Sequence, residues 1–197
     1  RDRTARFDAD IDMNLKDGNY DRVQSMLKEA LKRDRDNALR IGQLYQLLTA
    51  RQDTDELYRY HPRILGWLAD RNDGEGIAGV LATLQQAESG FKLEDPDLSV
   101  RCARALYHRG QFKPALRVLQ DFHKRFPDSE QLAPAYLLVA QTLANGLSQW
   151  EKATAFMTFI QKKCVNHPLH EQISVYLQQA QNKEPLKGPK ATFSAQD

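Results

Sequence analysis

Apolar residues recur along this chain with one spacing, three times over: Tyr20, Val23, Leu27 and Ala30; Phe112, Ala115, Leu119 and Phe122; Trp150, Ala153, Met157 and Ile160. In each set the later members follow the first by three, seven and ten positions, which lays four apolar side chains along one stripe of an α-helix. The first two sets follow a glycine and a polar residue, Gly18-Asn19 and Gly110-Gln111. Glycine there predicts a tight interhelical turn that needs positive φ or a close backbone approach. The third set is reached through a longer connection, Asn145-Gly146-Leu147-Ser148. No stretch alternates apolar and polar residues as a half-buried strand would, so the pattern predicts an all-α fold. Helical hairpins are expected over 4–37, 96–129 and 130–167. A helix near 168–182, with Ile173, Tyr176 and Leu177 on one face, is expected to cover the last of them. Between these segments two readings stand. One has a shortened unit over 38–61 and a hairpin over 62–95, because Pro62 suits a first helical turn and Asn72-Asp73-Gly74 suits a stop. The other has a single long helix kinked at Pro62.

The segment from Gly110-Gln111-Phe112-Lys113-Pro114-Ala115 to Phe126-Pro127-Asp128 resembles the second helix of a tetratricopeptide repeat (TPR), with its turn glycine, adjacent aromatic, small alanine and closing proline. The preceding helix is similar to the family's first helix, with Cys102, Ala103 and Leu106 at its packing positions. Residues 18–37 resemble the same second helix, with Val23 in place of the alanine and Arg35 in place of the proline. The resemblance is close over 96–129, looser over 4–37 and 130–163, and weak over 54–95. Phe112 and Trp150 lie 38 positions apart, one 34-residue repeat plus an insertion that the Asn-Gly turn can hold.

This resemblance implies a right-handed α-solenoid of TPR-like hairpins with a C-terminal capping helix, as a single domain over 1–182, while Pro185, Gly188 and Pro189 make 183–197 read as an extended tail. It also implies a protein–protein interaction scaffold whose concave groove, lined by the first helix of each pair, holds a peptide or partner segment. Carried over position by position, the groove residues are Asp97, Val100, Arg104, Tyr107 and His108, joined by Leu138, Gln141 and Thr142 from the neighbouring first helix. The family's cluster of lysines that clamps a carboxylate is missing, so the resemblance does not extend to recognition of a chaperone's C-terminal tail.

Charge narrows the alternatives. The 28 basic and 26 acidic residues leave a net charge of +2, and runs such as Lys32-Arg33-Asp34-Arg35-Asp36 interleave the signs. The more basic stretch from His108 to Arg125 is spread around two helices, so nucleic-acid binding ranks third. Second is a regulatory or assembly domain of a larger membrane protein or enzyme, because Arg1 is not an initiating methionine and other parts are expected upstream of it. The longest apolar run, Ala133 to Ala140, falls short of the roughly 18–20 residues of a spanning helix. Two cysteines, Cys102 and Cys164, make no disulfide framework, which favours a reducing, cytoplasmic setting with any membrane tether lying upstream.

Candidate chemistry is sparse. Cys164, His167 and His170 have metal-like spacing beside Glu171, but Pro168 lies between the histidines and the cluster straddles a helix end, so no metal or other cofactor is expected. Ser99, Ser129 and Ser148 sit where hydroxyls cap helices. Gly74-Glu75-Gly76 lacks the strand and lysine of a phosphate loop. The chain is therefore read as a non-enzyme, and Tyr20, Phe112 and Trp150 as core rings rather than a base-stacking platform. In the tail, Leu186 and Phe193 are the apolar side chains expected to anchor it, one of them in a groove of its own solenoid or of a neighbouring copy, where docking against Arg104, Tyr107 or His108 would mark the binding surface.

Overall fold

The computed structural model describes residues 2–188, which are helical with no strand among them. The helices are α1 (Asp2–Lys16), α2 (Tyr20–Arg33), α3 (Ala38–Arg51), α4 (Thr54–Asp70), α5 (Gly74–Ala87), α6 (Pro96–His108), α7 (Phe112–Leu119), α8 (Phe122–Arg125), α9 (Leu132–Gln141), α10 (Trp150–Lys163) and α11 (His170–Gln181), with a π-helical segment, Thr142–Gly146, continuing α9. None is long and apolar enough to cross a membrane. The described residues fall into two compact units, 2–71 with 80–91 and 72–79 with 92–188. Phe193 and the rest of 189–197 lie outside the described residues.

In the first unit α1 packs on α2, α2 on α3 and α3 on α4. In the second, α6 packs on α7, α9 on α10 and α10 on α11. The repeated stripe supplies much of each core: Val23 and Leu27, then Ala115, Leu119 and Phe122, then Ala153, Met157 and Ile160 are all buried. The ring that opens each stripe is less enclosed than expected. Tyr20 is 46% exposed, and Phe112 and Trp150 are half-buried, because each stands at the first residue of its helix, where one side still faces the turn.

The hairpin turns share one design. Gly18 and Gly110 both take φ near +73°, and nothing lies within 4 Å of where a side chain would begin, so conformation and not crowding selects glycine. The next N–H then reaches back to a carbonyl five residues earlier, Asn19 to Asn14 at 2.8 Å and Gln111 to Leu106 at 2.8 Å, which closes the helix end in a Schellman motif. Gln52, at φ 53°, makes the same turn between α3 and α4, with Asp53 donating to Leu48 at 3.0 Å. After the π-helical segment the loop is one residue wider, and Gln149 donates to Leu143 at 2.7 Å behind Ser148 at φ 53°. Side chains cap the starts: Asn37 accepts from the Arg40 amide, Asp53 from Glu56, and Asp95 from Asp97 and Leu98.

Two sequence expectations change. The reading with a boundary at Pro62 gives way to the continuous helix, since α4 runs from Thr54 to Asp70 straight through Pro62 and pairs with α3. A proline there leaves the carbonyl four residues back, that of Tyr58, without its helical donor. His61 makes up the loss, its ring Nδ1 bonding to that carbonyl. Conversely, the helix expected to run through Phe122 breaks after Leu119, and Asp121 at φ 56° restarts it as the single turn α8. The Arg125 guanidinium covers the carbonyls exposed by this break, those of Val118 and Gln120, and also bonds to Leu93.

Candidate functional site

The site lies in the second unit, where α6, the π-helical segment and α11 present side chains to the stretch that follows α11. At the end of α11 the chain makes the same turn as the hairpins. Lys183 takes φ 55° and Glu184 donates to the Gln179 carbonyl at 2.9 Å. After the hairpin turns a helix follows, but here Pro185 disfavours the α conformation at Glu184 and the chain continues extended. This carries Leu186 inward until it is 1% exposed, while residues 181–185, 187 and 188 remain exposed.

Asn145 holds it there. Its Oδ1 accepts from the Leu186 N–H at 2.8 Å and its Nδ2 donates to the Leu186 carbonyl at 3.0 Å. The same Nδ2 also donates to the Tyr107 hydroxyl at 3.0 Å, which ties α6 to the pair. One residue on, Gln179 Oε1 accepts from the Lys187 N–H at 3.0 Å. Beneath these contacts Gln141 donates to the Tyr176 hydroxyl at 2.9 Å. Burial raises the pKa of that hydroxyl, so it stays neutral and available as a donor or acceptor. The result is a row of neutral amides and phenols, with no carboxylate in it to take a proton or hold a cation.

The predicted groove residues separate into three groups. Tyr107 and Gln141 come together here. Arg104 and Asp97 stand exposed on α6, and His108 faces Asn72, 3.4 Å from its Oδ1. Val100, Leu138 and Thr142 are buried behind the surface at 2%, 4% and 0% exposure, and the Thr142 hydroxyl donates to the Leu138 carbonyl. None of these three side chains is open to solvent. Asn145, Tyr176 and Gln179 are the additions. Asn145 extends the 138, 141, 142 spacing by one further turn, a signal hidden because Asn-Gly reads as a loop, whereas the chain stays helical through it.

The remaining candidates carry less. The His167 ring accepts the Leu169 N–H at 3.1 Å, in the capping role available to a histidine at a helix boundary. Cys102 is fully buried and its thiol is pushed up to about 12, so it holds its proton and is a poor nucleophile. In the first unit a cleft of about 710 Å³ opens between α1, α2 and the start of α3. Arg3, Arg22 and Arg33 around it are interleaved with Asp21, Glu29 and Asp34. Arg40 beneath them is committed to Asp8 at 2.6 Å, to Gln43 at 3.0 Å and to the Phe7 ring at 4.5 Å. Charge does not converge there on one ligand.

No family model matches the chain, and no curated protein matches it.

Proposed function

We propose that the second unit is a stack of TPR-like hairpins in a right-handed solenoid, and that the face built by α6, the π-helical segment and α11 binds an extended segment of a partner protein. One observation carries this reading: the Asn145 carboxamide pairs with both the N–H and the C=O of Leu186. In an extended chain these two groups of one residue point the same way, and a carboxamide offers an acceptor and a donor side by side to meet them. Such pairing recognises backbone rather than sequence, the logic of strand addition transferred to a side chain. Selectivity then comes from the apolar side chain that enters beside it. Two net hydrogen bonds at about 0.5–1.5 kcal/mol each, with about 1.5–3 kcal/mol for a buried leucine, offset the ordering of a short segment only narrowly. This suits a reversible interaction. The role is binding without catalysis.

The test is a titration of the labelled peptide acetyl-Lys-Glu-Pro-Leu-Lys-Gly-amide into the whole chain and into its Asn145→Ala variant, followed by fluorescence anisotropy. Saturable binding that Asn145→Ala weakens supports the reading. Binding unaffected by Asn145→Ala sinks it.

A further inference from the structure

We propose that residues 184–188 are a resident occupant of this groove, and that the partner it takes is an extended segment of the same form, with a leucine directly after a proline, which enters by displacing them. This rests on the peptide-binding reading above. It goes further in naming both the regulation of the site and the chemistry of what competes for it.

The contacts of 184–188 are those of a ligand more than of a structural element. Three of its backbone groups, the Leu186 N–H and C=O and the Lys187 N–H, bond to side-chain amides of Asn145 and Gln179. Any extended segment offers the same three groups. Leu186 is the buried side chain of the stretch, while its neighbours Pro185 and Lys187 are exposed. Pro185 has no N–H to leave unpaired and keeps the chain extended into the leucine, so a proline before the anchor lowers the ordering needed on binding.

The turn that delivers the segment is local and breakable. It depends on Lys183 at φ 55°, a conformation that a residue with a Cβ adopts rarely, and on the Glu184 bond to Gln179. Without that turn the segment lies off α11 and the Asn145 carboxamide faces solvent. An occupant on so short a tether acts at an effective concentration of about a millimolar. Against a free peptide with a dissociation constant of about 100 µM, it weakens apparent affinity about tenfold.

Two variants release the segment by different routes and leave the groove side chains unchanged. Leu186→Asp removes the anchor, and Lys183→Pro forbids the turn, since proline cannot take positive φ. Circular dichroism checks that both remain helical. The labelled Lys-Glu-Pro-Leu-Lys-Gly peptide is titrated into the native chain, each variant, and each variant combined with Asn145→Ala. We expect both release variants to bind about tenfold more tightly than the native chain, and Asn145→Ala to abolish the gain. Replacing the peptide leucine by aspartate is expected to abolish binding to every form. Equal affinity for native and released chains, still sensitive to Asn145→Ala, would overturn resident occupancy while leaving the peptide groove in place. Absence of binding to the released chains would overturn the groove itself.

Discussion

His61 lends its ring Nδ1 to the carbonyl of Tyr58, the group that Pro62, four residues on, leaves without a helical donor. The same ring stands edge-on to Phe91 at 5.2 Å. Replacing His61 by alanine strips the carbonyl of its substitute and removes the ring contact, so urea denaturation is expected to show a loss of about 1–2 kcal/mol. Pro62→Ala restores the ordinary bond and removes a strong helix breaker. It is expected to raise stability by about 1–3 kcal/mol and to make His61→Ala less harmful.

Gly42 and Trp67 fix how closely α3 and α4 approach. A Cβ on Gly42 would lie 2.6 Å from Trp67 Cζ2, a separation that real side chains do not tolerate. Gly42→Val is expected to lower stability by about 1–3 kcal/mol, the usual toll of overpacking. Gly79 is the contrasting case, a helical glycine with open space around it, where alanine is expected to add about 0.5–1 kcal/mol. Thermal melts of the two variants moving in the same direction would contradict the packing account.

Ala115 is fully buried in the second unit, three residues after Phe112, where the repeated stripe calls for a small side chain. Arginine there would bring an unpaired charge into an apolar site, and a loss of about 3–5 kcal/mol is expected. Circular dichroism with chemical denaturation measures it. An unchanged midpoint would show that the stripe is not the packing face.

Asp53 caps α4, and its carboxyl is held below the usual 3.8 chiefly by the hydrogen bond from Gln24 and also by the Glu56 amide. A carboxylate with a depressed pKa contributes stability above its unfolded value and loses it as the pH falls through its folded one. Asp53→Ala is therefore expected to cost about 1 kcal/mol at pH 7, the usual worth of a cap. The gap between native and variant should narrow below pH 3.8, as denaturation series at several pH values will show.

The Leu186 amide reports on its pairing with Asn145 without any added ligand. It is bonded to Asn145 and its side chain is buried, so hydrogen exchange is expected to find it slower than an unstructured amide of the same sequence. Asn145→Ala should speed its exchange at least tenfold. Tyr107→Phe, which removes one neighbour of Asn145 and leaves the Leu186 pair intact, should change it little.

The chain's own residues determined that it is helical and where most helices begin and end, because the relevant forces act within a turn or two. A 3.6-residue stripe, a glycine at positive φ and a capping carboxylate each specify local geometry whatever packs around them. The pairing of Phe122, Leu119 and Ala115 inside one core was legible for the same reason. Three things were decided only by tertiary structure. Pro62 sits inside a helix because His61 and the packing of Ile64, Leu65 and Leu68 outweigh the lost bond, a balance that local preference cannot weigh. Asn145 reaches Leu186 because the π-helical segment carries one more residue into a helical surface, where the Asn-Gly pair alone signals a loop. Leu186 is buried because a turn at Lys183 brings it to a side chain 41 positions away, and the benefit of such a contact exists only once both partners have been placed by the rest of the fold.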